Sequence, residues 1–198
     1  MVDLSYDLNK DTMVWPGSGE GFSLCMHTEG TGDTFYSAGT FTCAEHSGTH
    51  IDAPIHFSEH GISVEQIQLQ KLVGPCVVID VSAACNLDSN YALQASDIRS
   101  HEAQHGLISE GNIVVINTGW HKNYSKGAKV YLGGEDVEDL HFPGISIEAA
   151  HLLVERKVAG VGLDTASLDP GNSLNFEVHR ILLSANIYGI ENISNGIT

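Results

Sequence analysis

The sequence predicts a mixed α/β fold of α+β character, and three observations carry that prediction. Lys71–Val81, Ile113–Asn117 and Val158–Leu163 are short runs rich in β-branched residues, as buried strands require. Ser96–His105, Ser146–Lys157 and Ser173–Ala185 read as helices. The first part of the chain instead strings short apolar segments between turns, the pattern of antiparallel pairing. Antiparallel strands followed by a mixed set argue for a sandwich of sheet and helices rather than a doubly wound sheet.

Each element has a local reason. Val2–Leu8 alternates apolar and polar side chains, as a half-buried strand does. Phe22–Met26 and Phe35–Cys43 are further strand candidates, separated by the Gly- and Thr-rich turn Glu29–Asp33. Lys71–Val81 carries Val73, Val77, Val78, Ile79 and Val81. In Ser146–Lys157, Ser146 suits the N-cap, Glu148 the positive end of the helix dipole, and Arg156 and Lys157 the negative end. Ser173–Ala185 has Phe176, Ile181, Leu182 and Leu183 among its apolar positions, and Ile187–Ile190 leads a last strand into Glu191. There is no repeat, low-complexity tract or linker, so one domain over residues 1–198 is expected, long enough for a sizeable core.

Composition narrows the function classes. With 25 acidic and 9 basic residues the net charge is −16, a surface that repels phosphate backbones and anionic lipid. Nucleic-acid and membrane partners are therefore not expected, and a small-molecule substrate is. No apolar run approaches the roughly 20 residues that span a bilayer. Residues 1–20 lack the basic start and long apolar centre of a signal peptide, which points to the cytoplasm. A secreted chain whose signal had been removed would read alike. Cys25, Cys43, Cys76 and Cys85 form no C-x-x-C pair and read as free or buried thiols.

The richest chemistry lies in twelve residues, His46 to Phe57, H-S-G-T-H-I-D-A-P-I-H-F. Imidazoles and a carboxylate at the density of His46, His50, Asp52 and His56 make a divalent-metal ligand set. A helix is excluded by Gly48 and by Pro54, which forces Ala53 out of the helical region. A turn feeding an extended segment places His50 and Asp52, two apart, on one side. Gly48 would let the backbone approach an ion closely.

These residues carry a resemblance. His46-x-Gly48-Thr49-His50-x-Asp52-x-Pro54-x-His56-Phe57 is similar to the signature of the cyclase-like metal-dependent hydrolases, a family that includes bacterial kynurenine formamidase and isatin hydrolase. Trp15-Pro16-Gly17 resembles that family's turn near the amino terminus, and Gly162-Leu163-Asp164-Thr165-x-Ser167-x-Asp169 its late strand-and-loop motif. His179 and Glu191 fall where the family places two further ligands. The resemblance implies a swivelling-type β/β/α domain with a small barrel-like sheet. It implies two divalent cations, Zn²⁺ or Mn²⁺: His46, His50 and Asp52 on one, with Asp52 bridging to a second held by His179 and Glu191. It also implies His56 as catalytic acid/base and a homo-oligomer, dimer or higher, with shared pocket walls. The implied chemistry is hydrolysis of an aryl formamide such as N-formylkynurenine, or opening of an isatin-like or cyclic imide ring. Two departures stand out. His179-Arg180 occupies the place of paired histidines in the formamidases, and family members continue past the point where Asn195–Thr198 ends this chain, so a last strand is expected to be missing.

Other readings compete. His101-Glu102-Ala103-Gln104-His105 is an H-E-x-x-H, which on a helix can hold zinc with the glutamate as general base. Gly106 would end that helix at once, and Ile108 stands where the longer protease motif wants glycine. His27, His60, His121, His141 and His151 have no partner at ligand spacing. Trp15, Phe57 and Trp120 could offer flat apolar contact to an aryl substrate, with core packing as the alternative. A metal-binding module without catalysis is a further reading of the same ligands.

Overall fold

The computed structural model of the chain describes residues 2–19 and 21–194. In chain order its strands are β1 (Ser23–Glu29), β2 (Tyr36–Thr42), β3 (His50–Asp52), β4 (Cys76–Asp80), β5 (Ala92–Leu93), β6 (Ile113–Asn117), β7 (Gly144–Ile145), β8 (Gly160–Leu163) and β9 (Tyr188–Glu191). Its α-helices are α1 (Ser82–Cys85), α2 (Ala95–His105), α3 (Ala128–Leu132), α4 (Ile147–Glu155) and α5 (Glu177–Ser184), with short 3-10 turns between.

The central sheet runs β3-β9-β8-β6-β4. All its pairs are parallel except β3 with β9. Strand alternation divides the apolar side chains between two faces. Val114 and Ile116 of β6, with Val161 and Leu163 of β8, enter one buried cluster with Ile98 of α2, Leu153 of α4 and Leu182 of α5. Each such side chain contributes about 1.5–3 kcal/mol on burial. The other residues of β6, Ile113 and Val115, pack with Leu4, Ile190 and Ile193. The helices thus cover one face, and loops and the amino-terminal segment cover the other. That leaves the β3 edge, where a three-residue strand carries two candidate ligands, beside the α5 amino terminus.

The mixed α/β class expected from sequence is the one observed. Ile113–Asn117 forms its strand with the expected bounds, and Ser146 caps α4 by accepting a hydrogen bond from the Ala149 N–H (3.2 Å). Four details differ. Val2–Leu8 runs alongside the core without a strand ladder. It is held by single bonds, Ser194 N–H to Leu4 O (2.7 Å) and Tyr6 N–H to Thr49 Oγ1 (2.8 Å). Lys71–Val81 becomes a strand only at Cys76, because Leu69–Lys71 is a 3-10 turn and Pro75 has no N–H to donate. Ser173–Ala185 becomes helical only at Glu177, after Phe176 takes a left-handed conformation (φ 51°). The barrel-like sheet implied by the resemblance is instead an open one, with β3 and β4 as its edges among the described residues. Asn195–Thr198, on which the expectation about the end of the chain falls, lie outside the described residues.

Candidate metal centre

Three separated parts of the chain meet at the β3 edge. The first is the loop before β3. Gly48 has φ +57°, its N–H donates to Met13 O (2.8 Å), and its carbonyl accepts from His50 Nδ1 (2.9 Å). A Cβ there would meet Thr12 Cγ2 at 3.0 Å. Gly48 is therefore required by its backbone conformation and by packing against Thr12, and its carbonyl orients His50. In β3, alternation turns His50 and Asp52 inward, while Ile51 packs into a small cluster with Ile67 and Tyr188. Pro54 then starts a 3-10 turn, Pro54–His56, that brings the His56 ring to 4.1 Å from the His46 ring, centroid to centroid.

The second part is β9, whose antiparallel register sets Glu191 opposite His50 and Gly189 opposite Asp52. Any side chain at Gly189 would collide with Leu168 Cδ1 (2.9 Å) and crowd Asp52 Cβ (3.3 Å). Glycine there makes room for the carboxylate. The third part is the first turn of α5, which carries His179.

These side chains converge in a buried cluster, with Asp52, His179 and Glu191 each under 5% exposed. Asp52 Oδ1 lies 3.0 Å from His46 Nδ1 and 3.4 Å from His50 Nε2, and Oδ2 lies 3.3 Å from His179 Nε2. Glu191 stands 3.1 Å from His179 Nε2 and 3.5 Å from His50 Nε2. Ligand-type atoms of His46, Asp52 and His56 lie within 4.8 Å of one another, and so do those of His50, Asp52 and Glu191. Asp52 belongs to both groups. The resemblance puts His46 and His50 on one ion. His56 also comes beside His46, and Glu191 beside His50, while His46 Nδ1 lies 3.1 Å from His50 Nε2, so Asp52 stands among all four.

The donor set fits a cation. Asp52 Oδ1 is buried with no hydrogen-bond partner, although two imidazole nitrogens stand within 3.4 Å of it. Atoms at that distance with the wrong angles for hydrogen bonding point at a common centre, as ligands of one ion do. Burial, and then the nearby Asp52 charge, push Glu191 above its ordinary range. Burial opposes ionisation of Asp52, yet the surrounding His179, His46 and His50 imidazoles hold it below the usual carboxylate range. Burial likewise works against a charged His50, but Asp52 and Glu191 prevail and raise it to about 9. Both carboxylates thus draw positive charge into the cluster. His56 differs: burial is the main cause of its lowering to about 4, with Asp52 only partly opposing.

Above the cluster opens a cavity of about 160 Å³. Trp15, Phe57, Phe176 and Met13 form its apolar wall, and His46, His50, His56, His179 and Glu191 reach its polar end. Phe57 and Phe176 rings lie 5.3 Å apart, and Trp15 meets Phe176 edge-on at 5.9 Å. Trp120 is not among the lining residues. It packs against the Tyr131 and Phe142 cluster, and its indole N–H donates to Tyr131 O (2.7 Å).

The H-E-x-x-H segment lies elsewhere, at the carboxyl end of α2. His101 and His105 rings lie 4.6 Å apart at a 39° tilt, but Glu102 turns into the protein and takes two hydrogen bonds from Arg156 (2.7 and 3.0 Å). A glutamate so engaged is no general base, which removes the protease reading.

Sequence reasoning missed three features. Phe176 was counted as a core position of a helix, and its positive φ was the signal lost. His121 was left without a partner, yet its Nδ1 sits 3.0 Å from the buried Asp164, which also accepts both Thr118 donors (2.6 and 2.9 Å). Asp169 was quoted in a motif without a role, and it contacts His179.

A histidine–carboxylate cluster at a sheet edge beneath an aromatic cavity defines a candidate hydrolytic metal centre. The family model described as "Putative cyclase" matches residues 2–170, and the chain belongs to that Cyclase family. Among its relatives is an isatin hydrolase of Roseibium aggregatum, 31% identical over 81% of this chain and 64% of its own length, so the match spans less than two thirds of that protein. A kynurenine formamidase of Bacillus cereus is 28% identical over 97% of this chain and 81% of its own. The solved structure of isatin hydrolase A from Ralstonia solanacearum superposes with a TM-score of 0.85 at 30% identity, covering 98% of this chain and 79% of that one. The expectation of a hydrolase acting on C–N bonds other than peptide bonds agrees with these names.

Proposed function

We propose that the chain is a divalent-metal-dependent hydrolase that cleaves the C–N bond of a small aryl amide, an aryl formamide such as N-formylkynurenine being the first candidate. One observation carries the reading: the buried, unpartnered Asp52 Oδ1 sits among imidazoles directly beneath an aromatic-walled cavity. His46, His50 and Asp52 would hold one ion, and Asp52, His179 and Glu191 a second. Imidazole and carboxylate donors suit Zn²⁺ or Mn²⁺. Such an ion, when bound, supplies a Lewis acid and lowers the pKa of water from about 15.7 toward about 7.

The chain's own residues do the rest. The cavity volume, about 160 Å³, matches the roughly 150 Å³ that takes one benzene-sized ring. Trp15, Phe57 and Phe176 offer that ring stacking and edge contacts and keep water out. His56 is unprotonated near neutral pH, so it can take the proton of the attacking water and return it to the leaving nitrogen.

A second reading, opening of a cyclic amide such as isatin, rests on Arg180. Its guanidinium lies 5.4 Å over the Phe57 ring, where the formamidases carry a histidine. Ring opening leaves the new carboxylate on the aryl product, and a cation held against the wall residue Phe57, though not itself lining the cavity, suits that anion.

A homo-oligomer belongs to the same proposal. Every residue of β1 and β2 is exposed, including Leu24, Met26, Tyr36 and Phe41. A lone two-stranded ribbon is marginal in water, and a second copy of the chain would cover it.

The test is metal content per chain by elemental mass spectrometry, followed by turnover of N-formylkynurenine, isatin and formanilide with added Zn²⁺ or Mn²⁺. Metal uptake with hydrolysis of one of these supports the reading. Metal uptake with inactivity across the panel favours a binding module.

A further inference from the structure

The carboxylate of Asp169 is 2% exposed and collects four donors. Oδ1 accepts from Val178 N–H (3.0 Å) and Ser173 Oγ (3.2 Å). Oδ2 accepts from His179 N–H (3.0 Å) and His179 Nδ1 (2.7 Å). Helix α5 begins at Glu177 behind the left-handed Phe176, whose side chain provides no cap. The buried Val178 and His179 amides of its first turn are therefore satisfied from nine and ten residues upstream, by the same group that holds the His179 ring.

The ring bond fixes orientation. With Nδ1 bound to Asp169, the ring turns Nε2 toward Asp52 Oδ2 (3.3 Å) and Glu191 Oε1 (3.1 Å). The neighbouring Leu168 N–H donates to Glu191 Oε1 (3.0 Å), so one two-residue stretch steadies both partners. We propose that Asp169 is a positioning residue of the metal centre: it starts α5 and holds the His179 ring in the orientation that aims Nε2 at the ion shared with Asp52 and Glu191. The proposal rests on the metal reading above. Carboxylate–histidine pairs of this kind also raise ligand basicity, and losing them weakens metal binding about 10–100-fold.

Asparagine cannot replace this carboxylate, because its amide nitrogen must face either the Val178 N–H or the His179 donors. The experiment strips the full-length protein with chelator and titrates it with Mn²⁺ and Zn²⁺, comparing wild type, Asp169→Asn and Ser173→Ala. Ser173→Ala removes one bond to the same carboxylate without touching the imidazole. The expected result is a 10–100-fold weaker site in Asp169→Asn at unchanged far-UV circular dichroism, with Ser173→Ala matching wild type. Nitrogen-15 spectra of the zinc-loaded wild type are expected to show His179 protonated at Nδ1 and metal-bound at Nε2, a readout independent of any variant. A His179 that binds zinc through Nδ1 overturns the proposal, even if Asp169→Asn fails to fold. So does a folded Asp169→Asn with wild-type metal affinity, which leaves the metal reading standing. A wild type that takes up no ion overturns both.

Discussion

Two regions of this molecule carry histidines at i and i+4 beside an acidic residue, and they have opposite fates. His46 and His50 enter a buried cluster with Asp52, His179 and Glu191. His101 and His105 sit on the last turns of α2, while the glutamate between them is drawn inward to Arg156. A pair of imidazoles is common to both. The difference is convergence: the first pair meets donors from β9 and α5 and a carboxylate oxygen with no hydrogen-bond partner. The second meets none among the described residues, and its carboxylate is already satisfied. Spacing proposes a ligand site, and only donors arriving from distant elements give the first region the convergence that such a site requires.

The strongest way to break that contrast is to delete one imidazole from each region. His50→Ala should remove bound metal and lower turnover by at least about 10³-fold, since a catalytic ion contributes several kcal/mol and each 1.36 is tenfold. A His101→Ala/His105→Ala double variant should match wild type in metal content and rate. Equal metal loss in both, by elemental mass spectrometry, would erase the distinction.

His56 sharpens the contrast within the first region, because geometry lets it serve either as a ligand with His46 and Asp52 or as a proton carrier. As a proton carrier, its replacement by alanine should leave metal content intact and cut kcat by about 10²–10⁴-fold. Metal loss on that substitution would reassign it as a ligand. A smaller effect is expected at the aromatic wall. Phe176→Ala should raise KM about 2- to 13-fold, the value of one aromatic contact at about 0.5–1.5 kcal/mol, with little change in metal content. Trp120→Phe, outside the cavity, should leave KM unchanged.

How much of this was legible depends on where the information lay along the chain. His46, His50, Asp52 and His56 sit within eleven positions, so their spacing alone displayed a ligand set. His179 and Glu191 lie far from that loop, and a helical histidine and a strand-end glutamate look ordinary. Only resemblance selected them, and the β3–β9 register then explained why Glu191 faces His50. Asp169 was illegible because its role depends on α5 starting at Glu177, and the helix had been expected to begin earlier. Phe176 was hidden by the same displaced start. Trp15 and Trp120 were indistinguishable as types, and the tertiary contacts that put one in the cavity wall and the other against Tyr131 have no local signature.

The smallest effect expected tests what the second region is for. Two hydrogen bonds from Arg156, the main cause, hold Glu102 below its ordinary value of 4.5, and the Ile108 N–H adds a third bond (3.2 Å). Here the H-E-x-x-H glutamate ties α2 to the end of α4, a structural duty with no catalytic component. Glu102→Gln should therefore lower stability at pH 7 by about 1.5–3 kcal/mol, the range for hydrogen bonds to a charged group, and leave turnover unchanged. A group whose folded pKa is depressed contributes fully above its unfolded value and loses that contribution as pH falls through the folded one. The gap between wild-type and Glu102→Gln urea midpoints should then be open at pH 7 and close progressively below about pH 4.5. A gap that persists at low pH would mean that packing, rather than the ion pair, joins the two helices. A loss of metal or rate would return the second region to the chemistry that its inward-turned glutamate argues against.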